Sequence, residues 1–270
     1  MIDCHLVEDT GAVIAHLRQD VLRNNRLIQS LERTIPAVPC EVWAARRADG
    51  TIVGVMLAEK FPERPTVSLQ ADFPEAVTAM LGCLKPEQRC NFWIHRHLWE
   101  HLEPQLADVT RPTEYIAMAL SSDDLRMFAS ASETRRLCGL DRESAKRFPF
   151  PPWGLPERRL SYFVEVAEHN PQTQIIWGVL LEGEIVSYVR VEWVIDNIWE
   201  VDAIETREEH KRKGIAKAVL SHASGELAPQ RIALLWRMRS DNIPAVRTAQ
   251  AVGFREAYRL VRCQACSAVS

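Results

Sequence analysis

The chain has 270 residues, which is enough for one large domain or two smaller ones. Hydrophobic residues make up 47% and charged residues 26%, an ordinary balance for a globular protein. The net charge of -3 argues against general nucleic-acid binding, and no apolar run reaches the ~20 residues of a transmembrane helix.

The amino terminus and the cysteines indicate a cellular compartment. The opening MIDCHLVEDTG has neither a positively charged nor an apolar section of a secretory signal, so we predict none. Seven scattered cysteines, an odd number, favour reduced thiols and a cytoplasmic location. The Cys263-x-x-Cys266 pair and the group His95, His97 and His101 lack further ligands nearby in the sequence, so we predict no metal site.

The first half of the chain predicts a mixture of helices and strands. The polar stretch SSDDL at 121–125 then favours a boundary, giving two domains over 1–121 and 122–270. In chain order, the predicted elements of the first domain are a helix over 8–34, a hairpin of 40–47 and 51–61, a strand at 65–69, a helix from Asp72 or Pro74 to 84, and strands at 91–95 and 113–120.

The second half predicts helices around a three-stranded meander. Glu182-Gly183 and Asp196-Asn197 are typical turn residues for that meander. The segment FPFPPWGLP at 148–156 is too rich in proline for a regular element. The other predicted elements are helices at 133–147, 157–168, 213–226 and 243–252, and strands at 173–181, 184–194, 197–205, 231–238 and 254–261.

A charged loop, TREEHKRKGIA at 206–216, joins a predicted strand to a predicted helix. His210, Lys211, Arg212 and Lys213 stand directly before Gly214, where the helix begins. A helix N-terminus exposes unpaired N–H groups and the positive end of the helix dipole, so it binds anions. Clustered cations there are unfavourable unless an anion offsets them, which suggests a doubly charged group such as a pyrophosphate.

The same run is also compatible with a solvated surface, and these residues alone leave both interpretations open. The run is short and has no interleaved aromatic residues, which argues against a nucleic-acid site. Neither G-x-x-x-x-G-K-[ST] nor G-x-G-x-x-G occurs, so the sequence supports neither a nucleoside triphosphate loop nor a dinucleotide fold.

The wider context resembles the GNAT (GCN5-related) acyltransferase superfamily over about 130–262. Its signature, Arg/Gln-x-x-Gly-x-Gly/Ala, is matched by K-R-K-G-I-A at 211–216. A second landmark, an Asn that opens a late helix ending in Gly-Phe, is matched by Asn242 and by Gly253-Phe254. The resemblance implies an α/β (α+β) fold, with a mixed central sheet flanked by helices.

The resemblance also implies a co-substrate, acetyl-CoA or another acyl-CoA, and no metal. The backbone of Ile204, Glu205 and Thr206 would pair with the pantetheine amides where the central strands splay apart. Lys211 replaces the commoner Arg or Gln, and an ammonium gives a less directional contact. Asn242 is assigned to the cofactor site as the second landmark. The implied pyrophosphate-binding residues are Lys211, Arg212, Lys213, Gly214, Ile215 and Ala216.

Two carboxylates precede the loop on one predicted strand. Strict alternation puts Glu200 and Asp202 on one face with Ile198 and Ile204, and Trp199, Val201 and Ala203 on the other. Acyl transfer to an amine needs a proton acceptor. Glu200 lies eleven residues before Lys211, which resembles the spacing of the glutamate base in histone-type members. We predict Glu200 as the base, with Asp202 second. The alternative is that both are structural acids, paired for example with Arg190.

The general acid has no predicted residue. Many family members carry a tyrosine seven residues after the asparagine, whereas this chain has Ala249 there. Tyr258, Tyr188 and Ser240 are candidates that the sequence does not rank. Separately, Phe148, Phe150 and Trp153 could wall an acceptor pocket or pack inward as part of a rigid turn.

Residues 1–121 lack the glycine loop, yet their order of elements resembles a degenerate, smaller GNAT domain, as in the glycine N-acyltransferase branch. This implies that they shape the acceptor site or a dimer interface and bind no cofactor of their own. The predicted function is acyl-CoA-dependent N-acyl transfer, acetyl in the commonest case, to a small or amino-acid-like amine in a ternary complex. The alternative is a non-catalytic acyl-CoA-binding module. We predict no nucleic-acid or membrane partner and a possible homodimer.

Overall fold

A computed structural model describes residues 2–32, 38–130, 132–149, 159–230 and 233–268. The chain forms two compact units. The first contains Met1–Ala117, Arg239–Asp241 and Ala257–Ser270, and the second contains Met118–Met238 and Asn242–Glu256. The sequence analysis placed a boundary between two independently folding domains after residue 121, and that boundary stays a prediction.

The strand order in the first unit is β1-β2-β3-β4-β5-β13. Neighbouring strands are antiparallel, except for the parallel pair β4 and β5. A short strand, β6, pairs with the end of β13. The elements are β1 (Ile2–Leu6), α1 (Gly11–Leu17), α2 (Val21–Glu32), β2 (Cys40–Arg47), β3 (Ile52–Glu59), β4 (Thr66–Ala71), α3 (Pro74–Leu81), β5 (Cys90–His95), α4 (Arg96–Leu102), β6 (Leu106–Ala107) and β13 (Arg255–Ser267).

The strands of the second unit follow the order β12-β11-β10-β9-β8, and β7, the neighbour of β12, is divided between the two units after Ala117. The strands β8 to β11 pair antiparallel in succession, and β11 pairs parallel with β12. The elements are β7 (Thr113–Leu120), β8 (Glu133–Arg136), α5 (Arg142–Arg147), α6 (Leu160–His169), β9 (Gln174–Leu181), β10 (Glu184–Ile195), β11 (Ile198–Thr206), α7 (Ile215–Leu227), β12 (Ala233–Arg239) and α8 (Ile243–Val252).

The two units share one order of elements, which the amino-acid sequence does not show as a repeat. Each runs strand, two helices, three antiparallel strands, helix, parallel strand, helix. The parallel pair β4 and β5 of the first unit corresponds to β11 and β12 of the second. The last strand of the first unit's order, β13, comes from the carboxyl-terminal part of the sequence.

The predicted mixed sheet flanked by helices is confirmed, as are the hairpin, the meander and the helices α7 and α8. The single helix over 8–34 is wrong, because a 3-10 turn at Arg18–Asp20 separates α1 from α2. The helix over 133–147 is wrong at its start, since Glu133–Arg136 pairs with β9 as a strand. Pairing with an adjacent strand overrides local helical preference there.

None of the helices in the described parts of the chain has the length and hydropathy that a bilayer crossing requires.

Gly253, which ends α8, occupies a position that no other residue fits. Its φ is 113°, and a Cβ there would lie 2.0 Å from the carbonyl oxygen of Asp124. Gly183, in the turn between β9 and β10, also has a positive φ of 79°, but a Cβ there meets nothing within 4 Å.

We expect Gly253→Ala to lower the free energy of unfolding by about 3 kcal/mol or more, since strain and a backbone clash add. The matched variant Gly183→Ala carries the strain alone and should lose about 1 kcal/mol. Urea denaturation followed by circular dichroism measures both. Equal losses would contradict the clash.

Candidate functional site

The loop between β11 and α7 is exposed and rich in cations. A short 3-10 turn, Glu208–His210, leads into Lys211, Arg212 and Lys213, which are exposed with Gly214. Arg212 and Gly214 both adopt left-handed backbone conformations, with φ of 61° and 80°. A left-handed arginine is uncommon, and such strained residues concentrate at binding loops.

The N-terminus of α7 is open. No side chain caps it, and the amides of Ile215, Ala216 and Lys217 have no hydrogen-bond acceptor among the residues that the structure describes. A Cβ on Gly214 would meet only the Cε of Lys217, at 4.0 Å. Unpaired amides, a helix dipole and flanking cations therefore converge where nothing in the described chain blocks an anion.

β11 and β12 part just before this loop. Their parallel pairing runs only from Ile198 opposite Ala233 to Glu200 opposite Leu235. Beyond Glu200, β11 continues to Thr206 while paired with β10 on its other side. The stretch Ile204–Thr206 thus presents one backbone edge without a described neighbouring strand, which is the splay that the sequence analysis expected.

Asn242 begins α8 as its N-cap, and its Oδ1 accepts a hydrogen bond from the amide of Ala245 at 3.4 Å. The structure therefore gives Asn242 a helix-capping role in the same unit as the loop. Ala249, at the expected tyrosine position, is fully buried in α8.

β11 contains a bulge at Asp202. Arg190 of β10 lies opposite Ala203, and Val191 lies opposite Val201, so Asp202 is an extra residue without a partner. The extra residue shifts the alternation of the strand. Glu200, Ala203 and Glu205 therefore share a face, and the prediction that Ile204 lies on the Glu200 face is wrong.

We call this side of the sheet the α6 face. Leu160 and Val164 of α6 pack with Ile176, Tyr188 and Ala203 of the strands. The cross-strand partners of Glu200 and Glu205 on this face are Glu192 and Tyr188 of β10.

Glu200 forms a buried ion pair with Arg237 of β12. Its Oε1 accepts from the Arg237 Nε at 2.7 Å, and its Oε2 accepts from Nη2. The two side chains are only 17% and 8% exposed. A bidentate arginine occupies both carboxylate oxygens and fixes the side chain in place.

Asp202 binds Arg190, but its surroundings are more open. Arg190 donates from Nη2 to Asp202 and also lies 3.1 Å from Glu192, above the ring of Phe163 at 3.6 Å. The Asp202 side chain is 40% exposed, whereas Arg190 is 11% exposed. Both predicted bases are therefore paired acids, as the alternative interpretation of the sequence expected.

Glu205 is the third carboxylate on the α6 face. Burial raises the pKa of Glu205, and the nearby Lys211 ammonium only partly offsets that effect. Burial also raises the pKa of Tyr188, and the Glu205 charge adds to this. Phe148 packs on Tyr188 with ring centroids 5.1 Å apart. The resemblance to the GNAT superfamily implied only a backbone contact for Glu205, with the pantetheine.

The other sequence candidates lie as follows. Phe148 is buried on the α6 face, whereas Phe150 and Trp153 lie outside the described residues. Tyr258 belongs to the first unit, where its hydroxyl accepts from the Asn25 amide at 3.2 Å. Ser240 also belongs to the first unit. No group of three His, Cys, Asp or Glu side chains suited to a metal occurs within the described ranges.

The first unit has no comparable cofactor loop. Only two residues separate the end of β4 at Ala71 from Pro74, which opens α3, against the long loop before α7. It does contain a cavity of about 260 Å³ between α2 and the strands β3 to β5. The short connection before α3 is compatible with the expectation that the first unit binds no acyl-CoA of its own. That expectation stays a prediction.

Comparison with known proteins agrees with this geometry. The Acetyltransferase (GNAT) family matches residues 141–254, which include the bulged strand, the loop and the helix α8. Residues 141–254 thus match an acetyltransferase domain of the GNAT family. This domain lies in the second unit, apart from Arg239–Asp241.

Solved GNAT structures match the whole length of the chain. A GCN5-related N-acetyltransferase from Sphaerobacter thermophilus is 14% identical, with a TM-score of 0.64 over 97% of this chain and 95% of that one. A GNAT acetyltransferase from Colwellia psychrerythraea is 12% identical, with a TM-score of 0.64 over 97% and 99%. A tandem GNAT protein from the clavulanic acid biosynthesis pathway is 13% identical, with a TM-score of 0.59 over 99% of both chains.

At sequence identities of 12% to 14%, the similarity to these structures shows only that the fold is shared. No curated protein matches the sequence significantly. Any proposal about an acceptor therefore rests on the residues of the site described above.

The two ion pairs on the α6 face predict different stability losses. Glu200→Gln leaves the buried Arg237 charge without its carboxylate and should lower the free energy of unfolding by about 3 kcal/mol. Asp202→Asn removes a more exposed charge while Arg190 keeps Glu192, so we expect a loss below about 1 kcal/mol. Chemical denaturation of both variants measures the difference, and a larger loss for Asp202→Asn would refute the assignment.

Proposed function

We propose that the second unit binds acyl-CoA, acetyl-CoA in the simplest case, and transfers the acyl group to the amine of a small or amino-acid-like acceptor. The observation that carries this proposal is the open, uncapped N-terminus of α7 beside the parted strands β11 and β12. Within a GNAT domain, this arrangement offers a diphosphate site and an adjacent backbone edge.

The chain's own groups suit the two parts of coenzyme A. The amides of Ile215, Ala216 and Lys217 would hold the pyrophosphate, and the cations Lys211, Arg212 and Lys213 would offset its charge. Lys211 already pairs with Glu208 at 2.6 Å, so binding would exchange an exposed ion pair for a phosphate contact. The free edge of Ile204–Thr206 would pair with the pantetheine amides. Asn242 would contribute to the cofactor site from its N-cap position at the start of α8.

The acceptor would meet the polar α6 face. Three carboxylates, Glu200, Asp202 and Glu205, lie on β11 within this part of the strand. A carboxylate beside the amine can accept the proton that the nitrogen loses when it attacks the thioester. Acyl-CoA supplies the activated thioester, and direct attack within a ternary complex needs no covalent enzyme intermediate.

A non-catalytic acyl-CoA-binding module is the second candidate. The buried Ala249, which stands at the tyrosine position of many family members, favours it because no acid is provided there. The cytoplasmic location, the homodimer and the absence of nucleic-acid and membrane partners stay predictions.

The activity is tested by CoA release from acetyl-CoA. A thiol reagent follows release over a panel of primary amines and amino acids, and mass spectrometry identifies the acetylated product. We expect amine-dependent release above the rate of hydrolysis. Acetyl-CoA binding without release on any amine would support the module and refute the enzyme.

Replacing the loop cations should weaken cofactor binding. For the triple variant K211A/R212A/K213A we expect a Kd for CoA at least tenfold higher, with a weaker dependence on salt, because the phosphate charges lose their counterparts. Isothermal titration calorimetry measures both quantities. The control Lys146→Ala removes an exposed lysine of α5 that pairs with Glu143, and it should leave the Kd unchanged. An unchanged Kd in the triple variant would contradict the assignment.

A further inference from the structure

Glu205 differs from the other carboxylates of the α6 face in its partners. Glu200 and Asp202 each bind an arginine, whereas the Glu205 carboxylate has no hydrogen bond or ion pair to any described residue. Its backbone carbonyl accepts a 2.8 Å hydrogen bond from the Ser187 hydroxyl. Glu205 is therefore the carboxylate here whose oxygens remain available to an incoming group.

The surroundings of Glu205 make it a better proton acceptor than an exposed glutamate. The groups of the described chain that face it are Tyr188 of β10 and Lys211 of the loop, with Arg190 further along β10. Burial disfavours the charged form, and the raised pKa brings the group toward working pH. The oxygens of Glu200 and Asp202 are instead engaged by Arg237 and Arg190.

The position along the strand also suits a catalytic group. Glu205 lies at the centre of Ile204–Thr206, the stretch whose free backbone edge would hold the pantetheine. A side chain that leaves this stretch on the α6 face would lie beside that arm. The bulge at Asp202 puts the side chain on this face.

We infer that Glu205, and not Glu200, accepts the proton of the acceptor amine. This inference rests on the proposed function. The amine nitrogen forms a bond to the thioester carbonyl carbon, and one N–H proton passes to the Glu205 carboxylate. The C–S bond then breaks, CoA leaves as the thiolate, and the thiolate takes up a proton from solvent. The products are the acetylated amide and CoA, and protonated Glu205 returns its proton to water.

The test compares Glu205→Gln with the wild-type chain, using acetyl-CoA and whichever amine of the panel supports the fastest release. We expect kcat to fall at least about 100-fold, which is the usual contribution of a general base. The Kd for acetyl-CoA should stay within about twofold, because the cofactor contact of residue 205 is through its backbone.

The pH profile separates a base from a structural residue. Wild-type kcat/KM should decline as the pH falls through the raised pKa of Glu205, because the base must be ionised to act. Glu205→Gln should lose this acid limb. The matched control Glu192→Gln removes an exposed carboxylate of the same face that pairs with Arg190, and it should keep both the limb and kcat within about threefold.

Three outcomes would overturn the inference, and they are distinguishable. If Glu205→Gln keeps its rate and acid limb, Glu205 is not the base. If folded Glu200→Gln loses the limb while Glu205→Gln keeps it, Glu200 is the base that the sequence predicted. If the wild-type chain binds acetyl-CoA but acetylates no amine, the proposed function fails as well.

Discussion

The site depends on one extra residue in one strand. Asp202 enters β11 without a partner on β10, and from that point the alternation of the strand is shifted by one residue. Glu205 therefore shares a face with Glu200, and Ile204 lies on the other side. A bulge strengthens local twist and breaks the regular pairing of a strand. It occurs just beyond the last pairing of β11 with β12, at Glu200, so strand divergence and the change of face coincide.

The three carboxylates of β11 differ in their partners. Glu200 is tied to Arg237 within the sheet, where a buried bidentate pair holds two strands that are beginning to part. Asp202 and Arg190 form a more open network with Glu192. Glu205 remains without such a partner. Stability and proton transfer thus make opposite demands on a carboxylate, because an arginine that fixes it also occupies its oxygens.

The two units share one topology but differ in the connection that precedes one helix. Both have a parallel strand pair followed by a helix, β4 with α3 and β11 with α7. In the first unit a short connection leads to a proline-opened helix, whereas the second has a long loop that ends in a left-handed glycine. Anion binding needs exposed amides and close approach, so the difference lies in the connection and not in the sheet.

Much of this could be predicted from local patterns. The meander, the helix beginning at Gly214 and the cap at Asn242 follow from turn residues, glycine and hydrophobic periodicity, which act over a few residues. The charged loop, read together with Asn242 and Gly253-Phe254, indicated a GNAT domain, which the family match confirms. The partners of Glu200 and Asp202 stayed open, because Arg237 and Arg190 lie on other strands.

The amino-acid sequence by itself thus determined most of the elements, the cation-rich helix terminus and the GNAT domain. The tertiary structure alone decided which carboxylates are paired and which face Glu205 occupies. The reason is that a bulge is defined by the register between two strands, and an ion pair by which strands lie side by side. Neither is encoded in the periodicity of one segment.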